Sequence, residues 1–365
     1  MQRRHFIQFG LLTLAAASSL RGLATSQPGN VLQFLSSAND AAGAHFIIAA
    51  DAAGQELFRI PVEERCHSGC LRPETSEAVI MSRRPGENLY VINMLQGYLK
   101  TIIKSGPDFH FYGHGVFSHD GSRFYVTANQ YADGAGFVRI YDAQNGYQHI
   151  KDLPVGGMDP HELRLHPDGE RLVVALGGIH THPDYGRIKL NLETMQPALI
   201  VMERTTGKIV QRCEPSHHQL SCHHLDISGD GIVIAGYQFE GAAWETPPLI
   251  ARLDTATGAF SEISLTEPAQ TQLVNYTASI AISRHSAIAA ITAPRGNAVV
   301  LLNYLTSEVL RVVEVPDAGG VLAEQDGSFI VSSGNGGLYR ITSDASEARL
   351  VSQHDLSWDN HLTHA

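Results

Sequence analysis

Beyond the first two dozen residues the chain has no sustained helical periodicity, and it holds only four cysteines and two tryptophans among 365 residues. Without apolar residues recurring every three to four positions there is no basis for a helical bundle. Abundant glycine (34) between short apolar runs points instead to an all-β chain of many short strands. Positive charge is also scarce, with 26 Lys and Arg against 37 Asp and Glu, a formal charge of −11. That balance argues against nucleic acid or an anionic membrane surface as partner. The apolar run over 9–20 is too short for a stable membrane span. A Gly-x-Ser-x-Gly nucleophile elbow, a phosphate-cradling glycine loop and a Cys-x-x-Cys-His haem attachment are all missing, which removes the motif-based routes to hydrolase, nucleotide and haem chemistry.

What the chain does have in excess is histidine, with 19 residues, and a repeated turn. Asp-Gly between two apolar runs recurs as Asp120-Gly121, Asp168-Gly169, Asp230-Gly231 and Asp326-Gly327. Such a pair makes a tight hairpin because glycine supplies the positive φ angle. An Asp-x-x-x-Gly turn follows later in the unit, at Asp142–Gly146 and Asp254–Gly258. Units of four strands begin near His67, His114, His161, His224, Tyr276 and Gly320, at a period typical of propeller blades. The segments 45–50 and 56–62 supply outer strands with no inner strand before them, and 358–362 an inner strand with nothing after it. Joining the two ends completes a seventh blade and leaves no open edge. The expectation is a seven-bladed β-propeller closed by pairing of its N- and C-terminal strands, one domain over 25–365.

In a propeller the residues at the start of each innermost strand ring one mouth of the central channel. His67, His114, His161, Glu162, His223 or His224, Tyr276, Asn360 and His361 fall there. The loops between second and third strands open on the same face and add Arg83, Arg84, Asn129, His180, His182, Arg187, Asn191, Gln238, Arg295 and Asn335. Imidazole is the commonest metal-binding side chain, so His161, His180, His182, His224 and His361 are expected to hold a transition metal: iron, copper or zinc. His114, Arg84, Asn129, Arg187, Asn191, Gln238, Tyr276, Arg295 and Asn360 are the candidate ligand-binding residues, the arginines for carboxylate or phosphate groups. The alternative is an enzyme, a metal-dependent hydrolase or an oxidoreductase using the same histidines, with Glu162 as the residue to polarise a metal-bound water. Two other readings stay open: histidines that satisfy backbone carbonyls and plug the channel, and a platform for protein partners. Cys66, Cys70, Cys213 and Cys222 are expected as disulfides or buried thiols before zinc ligands.

The N-terminal Arg3-Arg4-His5-Phe6-Ile7-Gln8, with the apolar run behind it and Gly22-Leu23-Ala24 as a cleavage site, resembles a twin-arginine export signal over 1–24. Its removal takes away three arginines and no acid, moving the charge to −14. It implies a periplasmic protein exported in folded form.

Several motifs carry a further resemblance: Phe111-Tyr112-Gly113-His114-Gly115-Val116-Phe117-Ser118, Pro160-His161-Glu162-Leu163, His180-Thr181-His182-Pro183-Asp184-Tyr185-Gly186-Arg187, Pro294-Arg295-Gly296 and Asp359-Asn360-His361-Leu362. They resemble an exported bacterial family, domain-of-unknown-function family 1513, and more broadly propellers of the YVTN and quinoprotein amine dehydrogenase type. The resemblance spans nearly all of the chain after the export segment. Members are often encoded beside imelysin-type iron-uptake proteins, which implies a role in iron acquisition with periplasmic iron-uptake proteins as partners. The four cysteines belong to none of these motifs.

Overall fold

The computed structural model describes residues 31–186, 188–344 and 346–365. The export-like segment 1–24 lies outside them. Seven four-stranded antiparallel sheets are arranged as blades, with innermost strands Cys66–Leu71, Phe109–Phe117, Pro160–Leu165, Leu220–Ile227, Ile280–Ile282, Ala318–Ala323 and Ser357–His364. Among the described residues no helix is long and apolar enough to cross a membrane.

The Asp-Gly turns join innermost to second strands as the repeat predicts. At His166–Arg171 the Gly169 amide donates to the His166 carbonyl, and the Asp168 carboxylate accepts from the Glu170 and Arg171 amides. Gly169 has φ +72°, a region that costs a side chain with a Cβ. Middle strands such as Arg171–Leu176, Glu77–Ser82 and Ala298–Asn303 are buried on nearly every residue, because each blade is packed between two others. That is why they read as continuous apolar runs rather than alternating ones. The cores lie between blades: one runs from Val173 and Leu199 through Leu225, Ile234 and Tyr237 to Ile291 and Val300.

Closure differs from expectation in one element. The seventh blade takes three strands from the N-terminal side, Leu32–Asn39, His45–Asp51 and Glu56–Val62, and only the innermost, Ser357–His364, from the C-terminus. The strand Leu32–Asn39 was not anticipated. Its polar centre, Ser36-Ser37, hides its strand character. Both serines are buried, and Ser36 Oγ donates to the His361 carbonyl at 2.8 Å. Trp358 locks the seam, with its indole N–H on the Gly336 carbonyl and its ring edge-on to Phe34.

Candidate metal centre

Each innermost strand that carries a channel histidine breaks register at that residue. His67 and Ser68 oppose a single partner residue between the pairs Cys66–Ser82 and Gly69–Ile80. The same holds for His161 and Glu162 opposite Ala175, and for Tyr112, Gly113 and His114 opposite Thr127. His223 is the extra residue of the fourth blade, and Asp359–His361 oppose Ser37 in the seventh. A bulge re-aims side chains that a regular strand would send alternately into the two neighbouring cores. At Gly113 φ is +96°, and a Cβ there would lie 2.9 Å from the His67 Cβ. Small hydroxyls brace the bulges, with Thr127 Oγ1 donating to the His114 and His161 carbonyls.

The result is a cluster of five imidazoles from five blades, all less than a tenth exposed. Ring centres lie 4.4 Å apart for His67–His361, 4.8 Å for His361–His224, 4.9 Å for His224–His161 and 6.0 Å for His161–His67, with 6.2 Å across from His67 to His224. His114 is 4.6–5.6 Å from all four. The shape is a four-cornered base with one apex. Rings bound through nitrogens at about 2.1 Å from one ion would stand about 4.6 Å apart as neighbours and about 6.5 Å apart as opposites. The His67–His361, His361–His224 and His224–His161 sides fall near that spacing, whereas His161–His67 and the contacts of His114 with His161 and His224 are wider. Three donor sets have ligand atoms within 4.8 Å of one another: His67, His114 and His361; His67, His161 and His224; His114, Glu162 and His224. These buried groups can hold a metal ion.

Two carboxylates orient rings of the cluster and a third stands beside it. Asp359 Oδ1 meets His67 Nδ1 at 2.7 Å, while its Oδ2 accepts from Arg65 at 2.7 Å and Arg83 at 3.4 Å. Glu162 Oε2 meets His224 Nδ1 at 3.0 Å and accepts from the Leu225 amide, and Arg164 lies 2.7 Å from Oε1. Asp159 pairs with Arg84 at 3.2 Å and stands 3.8 Å from His161 and 3.9 Å from His223. Burial raises the affinity of all three for protons, but the adjoining arginines and imidazoles outweigh it and hold them below the usual carboxylate range. Burial pushes His67 down to about 4 and His161 to about 3, and puts His114, His223 and His361 well below the ordinary value, with neighbouring imidazoles adding to the effect. These rings are neutral at pH 7, with lone pairs available. Both nitrogens of His114 and of His223, Nδ1 of His161 and Nε2 of His361 have no hydrogen-bond partner in the protein. Buried polar atoms are rarely left so, and this concentration leaves ring nitrogens free for a bound ion or water.

Above the cluster lies a cavity of about 250 Å³ whose floor includes His67, His161, His223 and His224. Of the expected ligand-binding residues, Arg84, Gln238, Tyr276, Arg295 and Asn360 line it, and His182 sits in its wall. His114 is instead wholly buried among the other rings. Asn129 is buried outside the cavity, where its amide, suitably turned, donates to the Gly134 carbonyl at 2.7 Å. Asn191 pins its own loop, accepting from the His180 amide and donating to the Gly178 carbonyl. Arg187 lies outside the described residues.

His180 and His182 do not join the ring. Their loop folds back on itself, so the His180 ring packs against Gly134 and His182 Nδ1 accepts the Asp184 amide. Glu162 is hydrogen-bonded through Oε2 and ion-paired with Arg164 through Oε1, the position of an orienting carboxylate. Missed as donors or supports were His67, His223, Asp159 and Asp359. His67 stands at the same place in its blade as His114 and His161, a signal the repeat does carry. The four cysteines are free thiols, and none enters a donor set.

Among solved structures, a hydrazine synthase chain from Kuenenia stuttgartiensis superimposes with a TM-score of 0.62 at 13% identity, over 92% of this chain and 99% of that one, a likeness of fold alone. A search of the curated proteins finds no match. The model of the family described as "Protein of unknown function (DUF1513)" matches residues 60–365, innermost strands and channel histidines included, and the chain belongs to that family.

Proposed function

We propose that this protein holds a transition-metal ion at the histidine cluster of its channel and serves in the periplasm as an accessory to iron uptake. The observation that carries the first part is the meeting of five neutral or carboxylate-anchored imidazoles at one buried point, with unpartnered nitrogens on His114, His161 and His361. Imidazole donors suit iron, copper and zinc, and His67 and His224 have the carboxylate backing that fixes the tautomer of a ligating histidine. The location and the link to iron rest on the export-like segment and on the resemblance of the motifs to an exported family. An enzymatic reading through Glu162 is less favoured, because its Oε2 is hydrogen-bonded to His224 and the Leu225 amide and its charge is paired with Arg164.

Protein purified from the periplasm, analysed for metals by mass spectrometry and titrated with Fe(II), Cu(II) and Zn(II) after chelator treatment, tests the proposal. One equivalent of a transition metal is expected, with binding lost in the double variant His67→Ala/His224→Ala. A folded protein that carries no stoichiometric metal and takes up none of the three would overturn it. For the iron link, a strain lacking the protein should grow more slowly under iron limitation and recover when iron is supplied.

A further inference from the structure

The cavity over the cluster has a character opposite to that of the whole chain. In a protein of formal charge −11, Arg83, Arg84, Lys189 and Arg295 line it and no carboxylate does, among the described residues. Arg84 and Lys189 pair with Asp159 and Glu240, which do not line the cavity. Arg295 is different: it is exposed, and its guanidinium stacks 4.2 Å above the Tyr276 ring, with no carboxylate on it among the described residues. On the floor, His223 stacks on His161 at 4.1 Å, is 5% exposed, and has both ring nitrogens unpartnered. It belongs to none of the donor sets. His67, His161 and His224 line the same floor, whereas His361 lines the opposite opening of the channel.

We infer that this cavity is a binding site for a small multivalent oxyanion, held between Arg295 and His223 directly over the metal, and that the anion and the ion bind cooperatively. The metal partner in this inference rests on the function proposed above; the anion site itself does not. The volume of about 250 Å³ corresponds to about eight waters' share of space, enough for a di- or tricarboxylate or a phosphate and too little for a peptide. A guanidinium prearranged over an aromatic ring offers a bidentate fork to carboxylate or phosphate. An ion among neutral imidazoles adds positive charge beneath the anion, and by linkage each ligand then raises the affinity of the other.

Citrate and phosphate, titrated calorimetrically into the metal-free and the Zn(II)-loaded protein, test this. Both forms should bind at least one of the two, the loaded form more tightly. Arg295→Ala should weaken binding about tenfold, Arg295→Lys less, and neither should change zinc affinity measured without anion. The stronger ligand identifies the source chemistry. Co(II)-loaded protein should change its visible spectrum when the anion is added. Failure of both anions to bind, or equal binding by Arg295→Ala, would overturn the inference whatever the metal result. Arg295-dependent binding that is equal with and without metal would overturn the cooperative part. Failure to load metal, with Arg295-dependent binding retained, would count against the metal centre alone.

Discussion

Acidification should unfold the metal-free protein in a window set by its buried histidines. His67 and His110 are pushed by burial down to about 4 and His161 to about 3. In the unfolded chain each titrates near 6.5. A lowered value in the folded state means that the unfolded chain binds more protons below pH 6.5. Each group's contribution is therefore complete above that pH and lost as the pH falls toward the folded value. One pH unit is worth about 1.4 kcal/mol per group, so at pH 5 each of the three costs about 2 kcal/mol, and together about 6 kcal/mol. That is comparable with the whole stability of an ordinary domain, about 5–15 kcal/mol. His114, His223 and His361 shift in the same direction and add to it. The window lies above the ordinary carboxylate range, so the acids contribute little there. Urea unfolding of chelator-treated protein at pH 8, 6.5, 5.5 and 5, followed by circular dichroism, is the assay. A flat midpoint between pH 6.5 and 5 would refute the claim that these rings are buried in their neutral form.

Asp359→Asn should weaken metal affinity about ten- to a hundredfold in a chelator competition, since His67 loses its anionic partner. It should also cost about 3–5 kcal/mol in urea unfolding, because Arg65 and Arg83 lose their buried anion. Gly113→Ala places a Cβ at φ +96° against His67, and is expected to lower both thermal stability and metal affinity. Trp358→Ala, which empties the seam between first and last strands, should cost about 3–5 kcal/mol by the same unfolding assay. Calcium and magnesium at millimolar concentration should not displace bound zinc in equilibrium dialysis, since these hard cations prefer oxygen ligands to imidazoles.

The ring was legible in the sequence because its turns are local. Asp168-Gly169 needs only its own hairpin to be recognised, and four copies at blade spacing give the repeat. The strand Leu32–Asn39 was not legible, since its buried serines take their meaning from the C-terminal strand more than 300 positions away. For the site, topology placed His161, His224 and His361 at one mouth, and these do meet. His180 and His182 were drawn in by the same reasoning. Loop position fixes a face of the molecule but not the direction of a side chain. Bulges decide that direction on the inner strands, and no sequence period marks them except a glycine such as Gly113. His223 was indistinguishable from His224 for the same reason: one register break sends both rings into the channel.

Site assembly and ring closure are one event in this fold. Ser357–His364 is the strand that closes the propeller, and it brings both His361 and Asp359. Asp359 in turn holds His67 of the first blade and Arg65 and Arg83 beside it, so the seam is stitched by Trp358 on one side and by this ion-pair network on the other. A chain with the seam open has at most His67, His114, His161 and His224, and the first of these has lost its carboxylate. An ion that binds the complete set binds the closed ring in preference, and stabilises closure by about 2.7 kcal/mol at a hundred times its dissociation constant. The buried imidazoles also carry a standing cost, six ring nitrogens with no hydrogen-bond partner in the protein. An ion bound at the donor sets would relieve the part of that penalty that falls on their rings. The same residues that make the empty ring acid-sensitive would make a metal-loaded ring resistant, and the difference in stability between the two would measure how tightly the closed channel holds the ion.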